Sequence, residues 1–225
     1  MKTKAAMLDW DGVLYDSFEI YTKHISEVLR RFGKPPITVQ DNRERISAPS
    51  AEATLKRAGI DESDIGEAKC QFIELTRGEP RPTVFPDSYD TLRWLNHRDI
   101  KTFIASAHPE ADIRRMLDSY GFSGFVTGVM GDRTPESKIE YLAYVMVDLG
   151  ITVEEMVFVD DMDEVLELAH PIGCYLVASA SGYCSYERLL RVRPDRIIHN
   201  LRNLQNFINL IHYSENSLIN RGGRP

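Results

Sequence analysis

Apolar and polar positions in this chain fall into blocks of two kinds, short apolar runs and longer stretches at helical spacing. Lys4-Ala-Ala-Met-Leu8 is an apolar run that predicts a buried strand, closed by Asp9-Trp10-Asp11-Gly12. From Ser17 to Phe32 the apolar residues Phe18, Ile20, Tyr21, Ile25, Val28, Leu29 and Phe32 recur at helical spacing, and Gly33 with two prolines stops the pattern. Pro35 to Pro82 is polar and helix-like without a strand. Helices are predicted over 51–58 and 64–76, broken by Gly59 and Gly78. The proline-punctuated segment Gly78 to Pro86 reads as a linker.

Alternation then resumes. Helices are predicted over 87–97, 109–120, 137–149, 164–170 and 201–211, and strands over 101–105, 125–129, 156–159, 174–178 and 196–198. Strands and helices at this interval imply βαβ units and a mostly parallel sheet. The fold class expected is therefore α/β: a Rossmann-like parallel-sheet core, residues 1–15 and 85–213, with an inserted α-helical cap over 16–84. Residues 214–225 are polar and rich in glycine and arginine, and are expected to form a flexible tail.

Composition narrows the function classes. The chain has 225 residues, 43% hydrophobic and 27% charged, which suits an ordinary globular core. Its formal charge of −7 does not suggest a nucleic-acid polymer as partner, which would need a basic face. No apolar run approaches a membrane span, and the start shows no signal-peptide core. Three cysteines, Cys70, Cys174 and Cys184, have no metal-like spacing, and their odd number argues against a disulfide framework. A cytoplasmic protein, monomeric or homodimeric, is expected.

The chemistry gathers at strand ends, where open α/β sheets bind ligands. Asp9 and Asp11 follow the first strand, and alternation along it would put both carboxylates on one side, close enough to share a cation. Ser106 ends the run Thr102-Phe-Ile-Ala-Ser106 and leads through Ala107-His108-Pro109 into a helix; it could cradle an anion or simply cap that helix. Lys138 lies near a helix start, against the macrodipole, so it needs solvent or an anionic partner. Asp160-Asp161 close the apolar run Val157-Phe-Val159, a second acidic strand end that complements the first.

Taken in this order, the D-W-D-G-V-L-Y-D start, the strand ending in Ser106, the helix-start Lys138 and the acidic pair resemble the haloacid dehalogenase superfamily of aspartate-nucleophile phosphohydrolases. The place of the helical insert resembles the subgroup of phosphoglycolate phosphatase and beta-phosphoglucomutase-like proteins, whose cap lies between the first and second motifs. The resemblance implies Asp9 as nucleophile and Asp11 as general acid and base. It implies Mg²⁺ held by Asp9, the main-chain carbonyl of Asp11 and Asp161, with Asp160 as an outer ligand. Gly12, Ser106, Ala107 and Lys138 would hold the phosphoryl group, with Lys138 also neutralising charge on Asp9.

Three departures from the family pattern stand out. Val165 occupies the place of a further aspartate, Ala107 that of a frequent asparagine, and Lys138 lies a few residues beyond the usual lysine. An intact D-x-D implies phosphate chemistry rather than dehalogenation, since a halide needs no proton to leave. The substrate expected is a small phosphorylated metabolite, with Tyr15, Arg43, Arg45 and His108 as candidate contacts and His24 near the cap entrance. Three functions fit: a magnesium-dependent phosphomonoester hydrolase, a sugar-phosphate mutase using the same aspartyl-phosphate, and a non-catalytic binding protein on the same fold.

Overall fold

A computed structural model describes residues 2–78 and 80–219, with the backbone alone for 214–219. The elements begin with β1 (Ala5–Leu8), β2 (Tyr15–Asp16), α1 (Phe18–Arg31) and α2 (Val39–Asp41), which runs into a π-turn at Asn42–Ile46. Next come α3 (Ala51–Arg57), α4 (Ile65–Thr76), β3 (Thr83–Val84), α5 (Ser88–His97) and β4 (Lys101–Ala105). They continue with α6 (Glu110–Ser119), β5 (Gly128–Met130), α7 (Pro135–Leu149), β6 (Met156–Asp160) and α8 (Asp163–Ala169). The last are β7 (Tyr175–Ser179), α9 (Tyr186–Val192), β8 (Arg196–Ile198) and α10 (Leu201–Ile219).

The main sheet is six-stranded in the order β5-β4-β1-β6-β7-β8, and every ladder is parallel. After β1 the chain builds outward through β4 and β5, then returns to β6 on the other side of β1. The carboxyl ends of β1, β4 and β6 therefore meet where the winding reverses, the place where ligands bind in such sheets. Alternating side chains serve two faces. Ala6, Leu8, Val157 and Val159 join one apolar cluster, whereas Ala5, Met7, Met156 and Phe158 join the other. A third cluster, built from Tyr21, Ile25, Val28, Leu29, Leu55, Ile60, Ala68 and Phe72, belongs to the helical insert.

Several local expectations change. The strand expected over 125–129 is displaced: Ser123–Phe125 is a 3₁₀ turn and pairing starts at Gly128, opposite Phe103. A Cβ on Gly128 would come within 3.0 Å of the Phe103 ring, so that close crossing suits glycine. The ends of the expected linker are not structureless, because β2 and β3 pair antiparallel (Tyr15 with Val84) where the chain leaves and re-enters the core. Helix α9 was not anticipated; Ser185 caps it by accepting from the Arg188 N–H. Helix α10 continues to Ile219, into the segment expected to be a flexible tail; 220–225 lie outside the described residues. Among the described residues no helix is long and apolar enough to cross a membrane.

Candidate active site

Asp9 stands one residue beyond β1, where its N–H still donates to the Val159 carbonyl of β6 (2.9 Å). The chain then turns sharply: the Trp10 carbonyl accepts from Leu14 and Tyr15, and Gly12 adopts φ +75°. Glycine is required there twice over, because a Cβ would also fall 2.1 Å from Asp161 Oδ2. This turn separates the two acids expected to share one cation. Asp9, 6% exposed, faces Asp160 and Asp161, whereas the Asp11 carboxylate points to another set of partners.

The first set is buried. Lys138, 2% exposed, reaches from the first turns of α7 and donates to Asp9 Oδ2 (2.7 Å) and Asp160 Oδ2 (2.9 Å). These are the anionic partners a cation near a helix start needs. Asp160 Oδ1 accepts from the Met162 N–H (2.9 Å), and Asp161 Oδ2 accepts from the Tyr183 N–H (2.5 Å). Two buried carboxylates thus share one ammonium, and a third, Asp161, lies beside them without a bond to it among the described residues. Burial pushes Asp9 up to about 7 despite Lys138, with Asp160 and Asp11 adding to the rise. Burial, reinforced by Asp160 and Asp9, likewise raises Asp161 well above the usual carboxylate range.

Such a group lacks positive charge, and one oxygen from each of Asp9, Asp160 and Asp161 lies within 4.8 Å of the others. Hard oxygen donors with this charge deficit suit a divalent cation of the magnesium type.

The second set surrounds Asp11. Ser17 donates to its Oδ1 (2.6 Å), and His108 Nδ1 lies 3.0 Å from its Oδ2. Burial alone would lower the His108 pKa; the charge of Asp11 and the hydrogen bond to it, with Asp9 and Asp132, outweigh that and raise it. Ser106 is buried, and its Oγ accepts from the His108 N–H (3.2 Å) instead of capping α6, whose N-cap is Pro109. Ala107 lies between them in the same turn and brings no polar side chain. Tyr15 is buried, with rings stacked on Trp10 (5.4 Å) and edge-on to His108 (6.3 Å).

The two cap arginines part company. The stretch holding them is a π-turn rather than a loop. Arg43 lies over the Phe18 ring (4.4 Å) and lines a cavity of ≈ 440 Å³ with Asp16, Glu19, Arg81 and Ser181. Arg45 is exposed and pairs with Asp41 on the same short helical segment, so it does not line this cavity. His24 packs beside Tyr21 and Phe72 inside the insert.

Four residues escape the reading of the sequence. Ser17 holds Asp11, and Tyr183, in the loop after β7, bonds both Ser17 (2.8 Å) and Asp161. Arg188 donates to both oxygens of Asp163 (2.8 and 2.6 Å) and, across to the insert, to Ser47 Oγ (3.0 Å). A serine six positions after Asp11 at a helix start is the signal that could have found Ser17. For Tyr183 the hint is a loop at a strand's carboxyl end, and for Asp163 its place just after the acidic pair; Arg188 lies within α9, which the sequence pattern does not mark.

Comparison with known proteins agrees with this geometry. The model of the family described as haloacid dehalogenase-like hydrolase matches residues 6–179. The chain is 28% identical over 213 residues to phosphoglycolate phosphatase 1 of Pseudomonas aeruginosa, covering 89% of this chain and 78% of that one. A haloacid dehalogenase-like family hydrolase of Streptococcus pneumoniae superposes with a TM-score of 0.75 at 18% identity, covering 91% of this chain and 97% of that one. A predicted phosphoglycolate phosphatase from Haemophilus somnus 129pt superposes at 0.77, again at 18% identity, covering 92% and 98%.

Proposed function

The chain belongs to the haloacid dehalogenase-like hydrolase family, and from that premise we propose that it is a magnesium-dependent phosphatase of a small phosphomonoester, working through an aspartyl-phosphate. Its relative in Pseudomonas aeruginosa is named for phosphoglycolate, which makes 2-phosphoglycolate the first substrate to try. The observation that carries the reading is the division of labour between Asp9 and Asp11. Two acids two positions apart occupy opposite environments, one within a buried cluster short of cations and the other held by Ser17 and His108. Environments that push neighbouring carboxylates apart assign them different roles.

In this reading an Asp9 oxygen attacks phosphorus and the bond from phosphorus to the leaving oxygen breaks. Asp11 gives its proton to that oxygen, then takes one from the water that hydrolyses the aspartyl-phosphate. In this reading Ser106, Gly12 and the Ala107 turn hold the phosphoryl oxygens. Lys138 favours the ionised form of Asp9 against its burial and offsets the charge that gathers on transfer. Asp9, Asp161 and the Asp11 carbonyl would hold Mg²⁺, with Asp160 anchored by Lys138 and Met162 behind them. When bound, the ion supplies charge neutralisation for the phosphoryl group. On the same reading the helical insert serves as the cap over the site and supplies the surroundings of the leaving group.

Phosphate release from a panel of phosphomonoesters, with Mg²⁺ or EDTA, for wild type and Asp9→Asn, tests the reading. Release that needs Mg²⁺ and disappears in the variant is expected. No release from any ester, or a variant as active as wild type, overturns it. Conversion of a sugar phosphate to its isomer without free phosphate would indicate the mutase instead.

A further inference from the structure

We propose that Tyr183 is a positioning residue for proton transfer, fixing the Asp11 carboxylate through Ser17. The proposal rests on Asp11 being the acid–base group. Three polar groups of Tyr183 reach three separate parts of the site. Its N–H donates to Asp161 Oδ2 (2.5 Å), its carbonyl accepts from Ser47 Oγ of the insert (2.7 Å), and its hydroxyl meets Ser17 Oγ (2.8 Å). The ring stands edge-on to Phe18 at 5.0 Å and packs against both the core and the insert clusters.

The direction of the chain of hydrogen bonds follows from counting protons. Ser17 has one hydroxyl proton and spends it on Asp11 Oδ1 (2.6 Å). It can therefore only accept from Tyr183, so the order is Tyr183 to Ser17 to Asp11. Ser17 also occupies the N-cap position of α1 and yet makes no capping bond, the usual use of a serine there. Its hydroxyl is committed to Asp11 instead.

The consequence is chemical. With Oδ1 held as an acceptor, a proton on Asp11 is confined to Oδ2, the oxygen that His108 Nδ1 also faces (3.0 Å), so the acid form of Asp11 requires that contact to yield to the leaving oxygen. As the phosphorus–oxygen bond to the leaving group breaks and the Asp9–phosphorus bond forms, the Oδ2–H bond breaks and the leaving oxygen gains that proton. Asp11 is left as a carboxylate, and the donor chain ending in Ser17 bonds it more strongly than the neutral acid. Tyr183 thus acts on the transition state without touching substrate.

Tyr183→Phe removes the hydroxyl and keeps the ring and both backbone bonds. The readout is kcat/KM on the panel's fastest alkyl phosphomonoester against p-nitrophenyl phosphate, whose nitrophenolate leaves without a proton. General acid catalysis is worth about 10²–10⁴-fold, so mispositioning the acid is expected to cost the alkyl ester about tenfold more than the nitrophenyl ester. Asp11→Asn is the reference and should show the same selectivity, larger. A selective Asp11→Asn with a Tyr183→Phe that loses equally on both esters overturns the proposal and leaves the phosphatase reading standing. An unselective Asp11→Asn removes the acid–base role and the proposal with it. Ser17→Ala interrupts the same chain should Tyr183→Phe fail to fold. The double variant should lose no more than Ser17→Ala alone, and additive losses would refute the relay.

Discussion

The floor of the site and the seam beneath the helical insert are both built from charged hydrogen bonds, yet the bonds lie at very different depths. On the floor, Lys138, Asp9 and Asp160 have side chains no more than 8% exposed, and the ammonium answers only part of the charge around it. At the seam, Arg57 pairs with Glu164 at 38% and 39% exposure, while the buried Arg188 joins a half-buried Asp163 to the buried Ser47. Removing one partner of a buried group leaves an uncompensated charge, whereas water replaces much of an exposed pair. The floor is therefore fixed at a high cost for any change. The seam combines an exposed, replaceable pair at Arg57 with the buried Arg188 tie, a looser fastening than the floor and one that suits a part that moves to admit substrate.

The largest test of that contrast is Lys138→Met, which takes away the ammonium that bonds Asp9 and Asp160. In EDTA it is expected to lower the unfolding free energy by about 3–5 kcal/mol, read from urea denaturation. Arg57→Ala should cost no more than about 1 kcal/mol. Similar losses from both would abolish the distinction.

The second test is pH, because the two regions titrate with opposite sign. Asp9 is held up to about 7 and Asp161 is also raised, so the folded chain binds protons that the unfolded chain has released. Between the ordinary carboxylate range and about pH 7, metal-free stability should fall as pH rises. Burial would raise Asp163 as well, but the hydrogen bond and charge of Arg188 outweigh it and lower its pKa. Its contribution is complete above the ordinary carboxylate range and is lost as pH falls through the lowered value. Urea midpoints from pH 5 to 7.5 should decline in EDTA, and Mg²⁺ should lift the upper end most. Midpoints that climb steadily in EDTA would contradict the reading of the floor.

A smaller effect sharpens the account of the seam. Arg188→Gln removes the paired bond to Asp163 and the tie to Ser47, and is expected to cost about 1–3 kcal/mol. Limited proteolysis should cut the insert faster in that variant, with the core fragment persisting. Unchanged cleavage would mean that Arg188 does not fasten the insert.

Much of this was legible in the chain itself. The short apolar runs ending in acids place Asp9, Asp11, Asp160 and Asp161 at strand ends, and the periodic helices mark the insert between the first strand and the rest. The β2–β3 pairing was not legible, because two-residue strands leave no period to read. Nor was the separation of Asp9 from Asp11. Strand alternation holds only while the strand lasts, and β1 ends at Leu8, so the turn at Gly12 sends the second carboxylate to His108 and Ser17.

The sequence by itself determined the order of the six parallel strands and of most of the helices, and the acids that end the strands, since hydrophobic period and local turn chemistry act between near neighbours along the chain. Tertiary structure alone decided which acid shares Lys138 and which is bound through Ser17 to Tyr183. Those choices are hydrogen bonds between residues 129 and 166 positions apart, which exist only once the sheet has brought its strand ends together.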